Sequence, residues 1–311
     1  ICNHCHSFQG IDVLKGHKKE YENKFLELAN TFRNKGAYDC LMAYSGGKDS
    51  TYTLKVLKER YKLRTLALSV DNGFISEQAF RNMNVVTEKL GIDHIIFRPR
   101  FDLMRQIFRK ASEEDIYSKK TLERASTICT SCIGIVKSVT LKTAIEKGIM
   151  LIGYGWSPGQ APVQSSVIRT NPSLMKATQS AIQVPLARLA GNEVNTYFLE
   201  ERHFADIERF PYYVHPLAFL QYDEEAILKE ISQIGWQQPS DTDSNSTNCL
   251  LNAFANDVHI KRFKFHPYVW EIANMVREGV MNRDEGYNKI YGPQSPDLLN
   301  IARERLGLNS S

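Results

Sequence analysis

Residues 38–60 read Tyr38-Asp39-Cys40-Leu41-Met42-Ala43-Tyr44, then Ser45-Gly46-Gly47-Lys48-Asp49-Ser50, then Thr51-Tyr52-Thr53-Leu54-Lys55-Val56-Leu57-Lys58-Glu59-Arg60. A short apolar strand, a loop with two glycines and a helix-like run follow one another without a gap. Glycines let the backbone turn tightly and bring its N–H groups close to an anion. The helix start adds the positive end of its dipole, Lys48 a mobile cation, and Ser45 and Ser50 two hydroxyl donors. The segment therefore predicts a cradle for nucleotide phosphates, with ATP the expected ligand. A plainer reading, a Gly-Gly turn with helix-capping serines, fits the order strand, loop, helix less well.

Outward from this stretch the alternation continues. Strands are predicted at 38–44, 63–70, 94–98 and 150–154, with helices at 49–61, 77–90, 101–114 and 132–147. Apolar strands alternating with amphipathic helices imply α/β architecture, a doubly wound parallel sheet covered on both faces. Ligands in such sheets sit beyond the carboxyl ends of the strands. Those ends carry Ser45, then Asp71-Asn72-Gly73-Phe74, then Arg98-Pro99-Arg100, then Gly155-Trp156-Ser157-Pro158-Gly159-Gln160. Asp71 is expected to face the adenosine, or else to cap a turn with Asn72 and Gly73. Gly153 and Gly155 are expected to give ribose or phosphates close backbone access.

Three parts are expected: a partial zinc-ribbon-like segment at 1–15, an ATP-binding α/β domain at 16–235 with an insertion at about 156–210, and a helical region at 236–311. A strand over 212–220 and a helix over 224–234 complete the middle part. A polar loop, 237–248, leads into the last helices; its Asp241 and Asp243 read as substrate-orienting groups or simply as solvated loop.

The 311 residues carry 39 basic and 35 acidic side chains, a formal charge of +4. That balance does not require a nucleic-acid partner. A basic patch with interleaved aromatics, His259 to Tyr268, reads more readily as core at helical spacing than as an RNA contact. No apolar run approaches the ~20 residues of a membrane span and no signal-peptide pattern stands out, so no membrane partner and a cytoplasmic setting are expected. The chain opens at Ile1 rather than Met, which points to an upstream segment.

Six cysteines in a chain without a secretory signal point to metal or redox use rather than disulfides. Cys2-Asn3-His4-Cys5-His6 has the spacing of half a zinc ribbon, with exposed thiols as the alternative. Cys129-Thr130-Ser131-Cys132 precedes the expected helix 133–146, whose N–H groups would lower thiol pKa values. Cys249 ends the polar loop. Cys40 lies within the first strand and reads as core.

Ser-Gly-Gly-Lys-Asp-Ser lacks the Walker spacing and resembles the PP-loop of the ATP pyrophosphatases, the adenine-nucleotide alpha-hydrolase-like superfamily. Those enzymes cleave ATP to AMP and pyrophosphate, usually placing AMP on a substrate oxygen. The resemblance implies ATP and Mg²⁺, with Ser45, Gly46, Gly47, Lys48, Asp49 and Ser50 around the phosphates and Lys48 and Asp49 in catalysis. Many members carry carboxylates after the fourth strand. Residues 153–160 have none, so Mg²⁺ is expected to lean on Asp49 and phosphate oxygens.

Two branches compete. The N-terminal pair, Ser45–Ser50, Ser69-Val70-Asp71, Met104–Ala111 and Arg277–Glu285 are similar to the N-acetyl sugar amidotransferases, which implies a glutaminase partner supplying ammonia. Cys129 and Cys132, with Cys249 after His215-Pro216-Leu217, Asp223-Glu224-Glu225, Gly235 and Pro239, resemble the iron–sulfur-dependent tRNA 2-thiolation enzymes. That resemblance implies a [4Fe–4S] cluster on Cys129, Cys132 and Cys249, with one iron free for an external sulfide, and Zn²⁺ at Cys2 and Cys5. The competing accounts are a single zinc site on Cys2, Cys5, Cys129 and Cys132, a persulfide relay, and inert buried thiols. Ammonia transfer has no use for these cysteines, so the expected activity is sulfur transfer. Its substrate would be a small molecule, a carrier-bound group or tRNA, served by a sulfur donor. An ATP-binding sensor without turnover and a homodimer stay open.

Overall fold

The structure, a computed structural model, describes residues 2–243 and 245–308. Six strands form one sheet: β1 (Cys40–Ala43), β2 (Thr65–Val70), β3 (Asp93–Phe97), β4 (Leu151–Tyr154), β5 (Val167–Arg169) and β6 (Tyr212–Val214). Their order is β3-β2-β1-β4-β6-β5, parallel throughout except for β5, which runs antiparallel along the edge. Leu41 stands opposite Leu66 on one side and Ile152 on the other, so β1 is central. The strand order reverses beside it, the place where open α/β sheets leave a crevice.

The helices are α1 (Asn3–His6), α2 (Ile11–Phe32), α3 (Lys48–Lys55), α4 (Glu77–Leu90), α5 (Phe101–Glu113), α6 (Thr127–Lys147) and α7 (Pro172–Ala190). Then come α8 (Pro216–Phe219), α9 (Glu224–Ser232), α10 (Asn252–Phe263), α11 (Val269–Arg277), α12 (Arg283–Tyr291) and α13 (Pro296–Leu306). Alternation along each strand divides two cores. Leu41, Leu66, Leu68 and Ile152 pack with α5, α6 and α7; Cys40, Met42, Ala67 and Leu151 pack with α2, α3 and α4. Cys40 is fully buried, and burial pushes its thiol up to about 12.

Helix α4 spans the expected residues because both signals are local: the Ser76 hydroxyl accepts from the Ala79 N–H, and Gly91 ends it in the left-handed region. Other expectations need correction. Helix α6 starts at Thr127, since Ser126 caps it by accepting from the Cys129 N–H; both cysteines therefore lie inside the helix rather than before it. The strand expected over 212–220 stops at Val214, because Pro216 opens a helical turn. The helix over 49–61 finishes as a π-helical turn, Val56–Arg60.

Residues 156–210 hold the edge strand β5 and α7, which buries Leu186 and Leu189 against α5 and α6. Cys2 and Cys5 sit exposed at α1, one helical turn rather than a ribbon. At 21 residues α6 is long and apolar enough to cross a bilayer by length and composition, contrary to the sequence expectation. Here it is the central helix of one core, against β1, β2 and β4.

Candidate active site

The loop after β1 has the shape its glycines suggest. Gly46 has φ of +73°, and a Cβ there would stand 2.6 Å from the Ala79 carbonyl oxygen. Gly47 caps α3, whose first residue is Lys48. The Ser45 and Ser50 hydroxyls are 2.9 Å apart, and Ser50 Oγ donates to the Gly47 carbonyl at 3.0 Å. Trp236 Nε1 donates to the Gly46 carbonyl at 2.9 Å, pinning the loop from outside.

Gly155 stands behind this loop. A Cβ on it would fall 2.4 Å from Ser50 Cα, so the glycine lets β4 meet the start of α3. Gly153 has a different task from the one expected. It lies inside β4, where a Cβ would meet Leu57 Cδ1 at 2.9 Å and Met42 Sδ at 3.0 Å. It serves packing, not ligand access.

On the helix side, Lys48 Nζ lies 2.9 Å from Tyr222 Oη, 3.0 Å from Glu224 Oε1 and 3.6 Å from Asp49 Oδ1. Tyr222 Oη donates to Asp49 Oδ1 at 2.8 Å. These groups line a polar cavity of about 320 Å³ together with Asp243, Thr247 and Glu271. Burial pushes the Asp49 carboxyl upward, with Glu224 adding to the effect and Lys48 opposing it. Burial pushes Glu271 up to about 7; its Ser157 hydrogen bond lowers it and the nearby Asp49 raises it. Tyr222, Glu224 and Glu271 were not legible as site residues. Glu271, from α11, brings a carboxylate to this cavity, whereas residues 153–160 have none.

A second cavity, about 280 Å³, opens on the other side of the loop. Ser45, Ser50 and Gly155 line it together with Cys129, Cys132 and Cys249. Cys249 is drawn in by the turn after β2. It bridges to Ile75, Leu250 N–H donates to the Phe74 carbonyl at 2.8 Å, and Ser76 N–H donates to the Asn248 carbonyl at 2.9 Å. Thr247 Oγ1, two residues earlier, accepts from the Lys48 N–H at 2.9 Å. The three cysteines and the phosphate loop thus share one space.

The thiols themselves differ from expectation. Burial pushes Cys129 up to about 12 despite the helix start, and raises Cys132 although Asn72 Nδ2 donates to its sulfur at 3.1 Å. Cys249 is raised by burial and then by the other two thiols, which places all three within electrostatic reach of one another. Among the described residues no three His, Cys, Asp or Glu side chains stand close enough to hold a single metal ion. That argues against one zinc on Cys2, Cys5, Cys129 and Cys132. It does not bear on a cubane, which spreads its thiolates more widely than one ion does. Three cysteines on one cavity wall have the donor type of such a cluster and would serve three of its four irons.

Cys2 and Cys5 lie at the surface with sulfurs 3.6 Å apart; Arg277 of α11 reaches Cys5, and His4 between the cysteines packs edge-on against Trp270 of α11. The cysteine pair offers two thiols, fewer than the four ligands of a structural zinc site. Asp71 does not line the cavity: its Oδ1 accepts from Gly73 N–H at 2.9 Å and its Oδ2 from Arg98 Nε at 2.6 Å, which is the turn-capping role. Arg100 pairs with Asp102 and Glu193 at the surface. Asp243 lines the Lys48 cavity and accepts from Asn252 Nδ2 at 2.7 Å. His259 and His266 are buried, His259 against Phe263 and Phe265, as a core patch.

No family model matches the chain. An uncharacterized protein of Methanocaldococcus jannaschii, MJ1599, is 25% identical over 291 residues, 94% of this chain and 85% of its own length. Among solved structures, the U34-tRNA thiolase NcsA from Methanococcus maripaludis, determined with its [4Fe–4S] cluster, is similar over 94% of this chain and 82% of its own, at 14% identity and TM-score 0.39. NMN synthetase from Francisella tularensis is similar over 94% of this chain and 98% of its own, at 11% identity and TM-score 0.41. Likeness at that level adds nothing to what the sheet order and the loop geometry establish directly.

Proposed function

We propose that the protein is a PP-loop ATP pyrophosphatase that adenylates a carboxyl or carbonyl oxygen and replaces it with sulfur. The observation that carries this reading is the single cavity lined by Ser45 and Ser50 at the phosphate loop and by Cys129, Cys132 and Cys249. Loop N–H groups and Lys48 bind the triphosphate and offset the charge that grows on pyrophosphate as it leaves. Lys48 must exchange Glu224 for phosphate oxygens to do so. Mg²⁺ would draw on Asp49, with Glu224 and Glu271 within the same cavity.

For a carboxylate substrate, one oxygen attacks the α phosphorus, the bond to the β-phosphate oxygen breaks, and pyrophosphate departs. Hydrogen sulfide ion then attacks the acyl carbon, AMP leaves with the original oxygen, and a thiocarboxylate and a proton result. A [4Fe–4S] cluster on Cys129, Cys132 and Cys249 would present sulfide on an iron without a protein ligand. The chain's own part is to hold the acyl adenylate between loop and thiols and to keep water away.

The test is anaerobic purification with iron and sulfide analysis, then pyrophosphate release and sulfur incorporation by wild type and Cys249→Ser. The expected outcome is loss of bound sulfide and a fall in sulfur incorporation of about 100-fold or more, with ATP binding retained. Wild-type protein free of iron that forms an amide from ammonia would establish nitrogen transfer instead, and ATP binding without pyrophosphate release would establish a sensor.

A further inference from the structure

Lys137 lies on α6, eight residues beyond Cys129, and lines the cavity that holds the thiols. Its Nζ sits 4.3 Å above the Trp156 ring, and His215 stacks on Trp156 at 4.3 Å. Among the described residues no carboxylate pairs with it, and no Asp or Glu lines that cavity. Burial, then the charge of Lys137, holds His215 near 3, so the imidazole is neutral and adds no charge beside the lysine. Lys137 is half-buried; an ammonium partly withdrawn from water without an anion is costly, and one aromatic face offsets only part of that cost.

The same lysine also lines a neighbouring cavity of about 340 Å³ between α6 and α7. Its wall is mainly apolar, with Ile133, Leu141, Met175, Ile182 and Phe198, and again carries no acid. Gly134 makes the helix approach: a Cβ there would meet Ile182 Cγ2 at 2.5 Å. Two buried hydroxyls on this wall, Thr130 Oγ1 and Ser138 Oγ, have no hydrogen-bond partner among the described residues. A mainly apolar chamber with a lone cation at its junction to the ATP side matches a ligand with an apolar body and an anionic end.

We infer that the substrate is a carboxylic acid whose apolar body fills the chamber between α6 and α7 and whose carboxylate pairs with Lys137, facing the phosphate loop. This rests on the adenylation reading and narrows it: an N-acetyl sugar or tRNA acceptor has no extended apolar part to fill the chamber. Lys137 is pushed down to about 8 by burial, so it is still mainly protonated at neutral pH. The lysine orients one carboxylate oxygen for attack. The unpaired hydroxyls are free to meet a polar substituent.

Octanoate, 3-phenylpropanoate and octanol serve as probes in calorimetry with the full chain, without ATP and then with it. Octanoate or phenylpropanoate binds wild type, octanol binds far less, and Lys137→Met weakens the acid by about tenfold or more while Lys137→Arg retains most affinity. Ser138→Leu, which fills the chamber, lowers octanoate affinity without altering ATP affinity. Circular dichroism melts verify that each variant is folded. Acid binding untouched by Lys137→Met, absence of acid binding in wild type, or a loss confined to ATP affinity, as for a lysine serving a phosphate, would overturn the inference. Lys137-dependent acid binding without acid-stimulated pyrophosphate release upholds the chamber and removes the adenylation reading. Pyrophosphate release driven by tRNA or a sugar, and indifferent to Lys137→Met, does the reverse.

Discussion

Glu271 is half-buried beside a second carboxylate, Asp49, with a Ser157 hydrogen bond and Lys48 to offset the cost. Its folded pKa of about 7 lies above the ordinary 4.5, so the folded state holds the proton more tightly than the unfolded chain. Its contribution is complete below about pH 4.5, is lost as pH rises towards 7, and above that the buried charge is a full penalty. Glu271→Gln, which can still hydrogen-bond Ser157, should flatten the metal-free pH–stability profile over this window. It should raise Tm by a few degrees at about pH 8. Thermal melts in EDTA from about pH 4.5 to 8.5 would decide it; parallel wild-type and mutant profiles would place the proton elsewhere. Nothing in Val269-Trp270-Glu271-Ile272 marks this residue as special, since a glutamate on an amphipathic helix normally faces water. It is revealed only when α11 packs on the Ser157–Gln160 turn, where Gly159 would bring a Cβ 2.2 Å from the Glu271 carbonyl oxygen. Lys48 and Ser45 were legible because their loop signals its conformation within six residues.

At the scale of elements, what could be read depended on whether the boundary signal was local. Ser76 and Gly91 bracket α4 within the segment itself, whereas Ser126 was passed over as the α6 cap because a Cys-x-x-Cys pair drew the boundary five residues on. Pro216 was a readable stop, overridden by the apolar run around it. Gly155 has a reason beyond the expected one: it lines the cavity, and its missing Cβ leaves room for the α3 backbone. Gly155→Ala should therefore push the loop off its sheet, since backbone atoms at 2.4 and 2.6 Å cannot move aside as a flexible side chain would. We expect ATP affinity to fall by about tenfold or more and stability to drop by about 1–3 kcal/mol. Gly153→Ala, which meets only the side-chain ends of Leu57 and Met42, should lose stability with ATP affinity near wild type. Calorimetric ATP titrations and urea melts of both variants separate the two roles, and equal losses of affinity would contradict the assignment.

Across the whole molecule, the loop ending at Cys249 ties distant parts together. It touches Lys48 through Thr247, the turn after β2 through Asn248 and Leu250, and the α6 cysteines across the cavity. Sequence spacing pairs Cys129 with Cys132; Cys249, more than a hundred positions away, is grouped with them in the sequence only through the family resemblance, and the packed sheet brings it to the same cavity. Thiols react as thiolates, so the six cysteines should label in an order set by burial. In iron-free protein treated with iodoacetamide, Cys2 and Cys5 should modify first, because they are exposed and their mutual hydrogen bonding lowers the Cys2 thiol. Cys129, Cys132 and Cys249 should follow about tenfold or more slowly, with Cys40 last. A Cβ on Gly47 would lie 3.0 Å from Thr247 Oγ1 and 3.2 Å from Asn248 Oδ1. The loop backbone thus lies against the segment carrying Cys249, so a triphosphate bound in the loop should slow its labelling further, leaving Cys2 unaffected. Peptide mass spectrometry over a time course reads each site separately. Cys249 labelling as fast as Cys2, or indifferent to ATP, would mean that nucleotide and sulfur chemistry are not coupled through this loop.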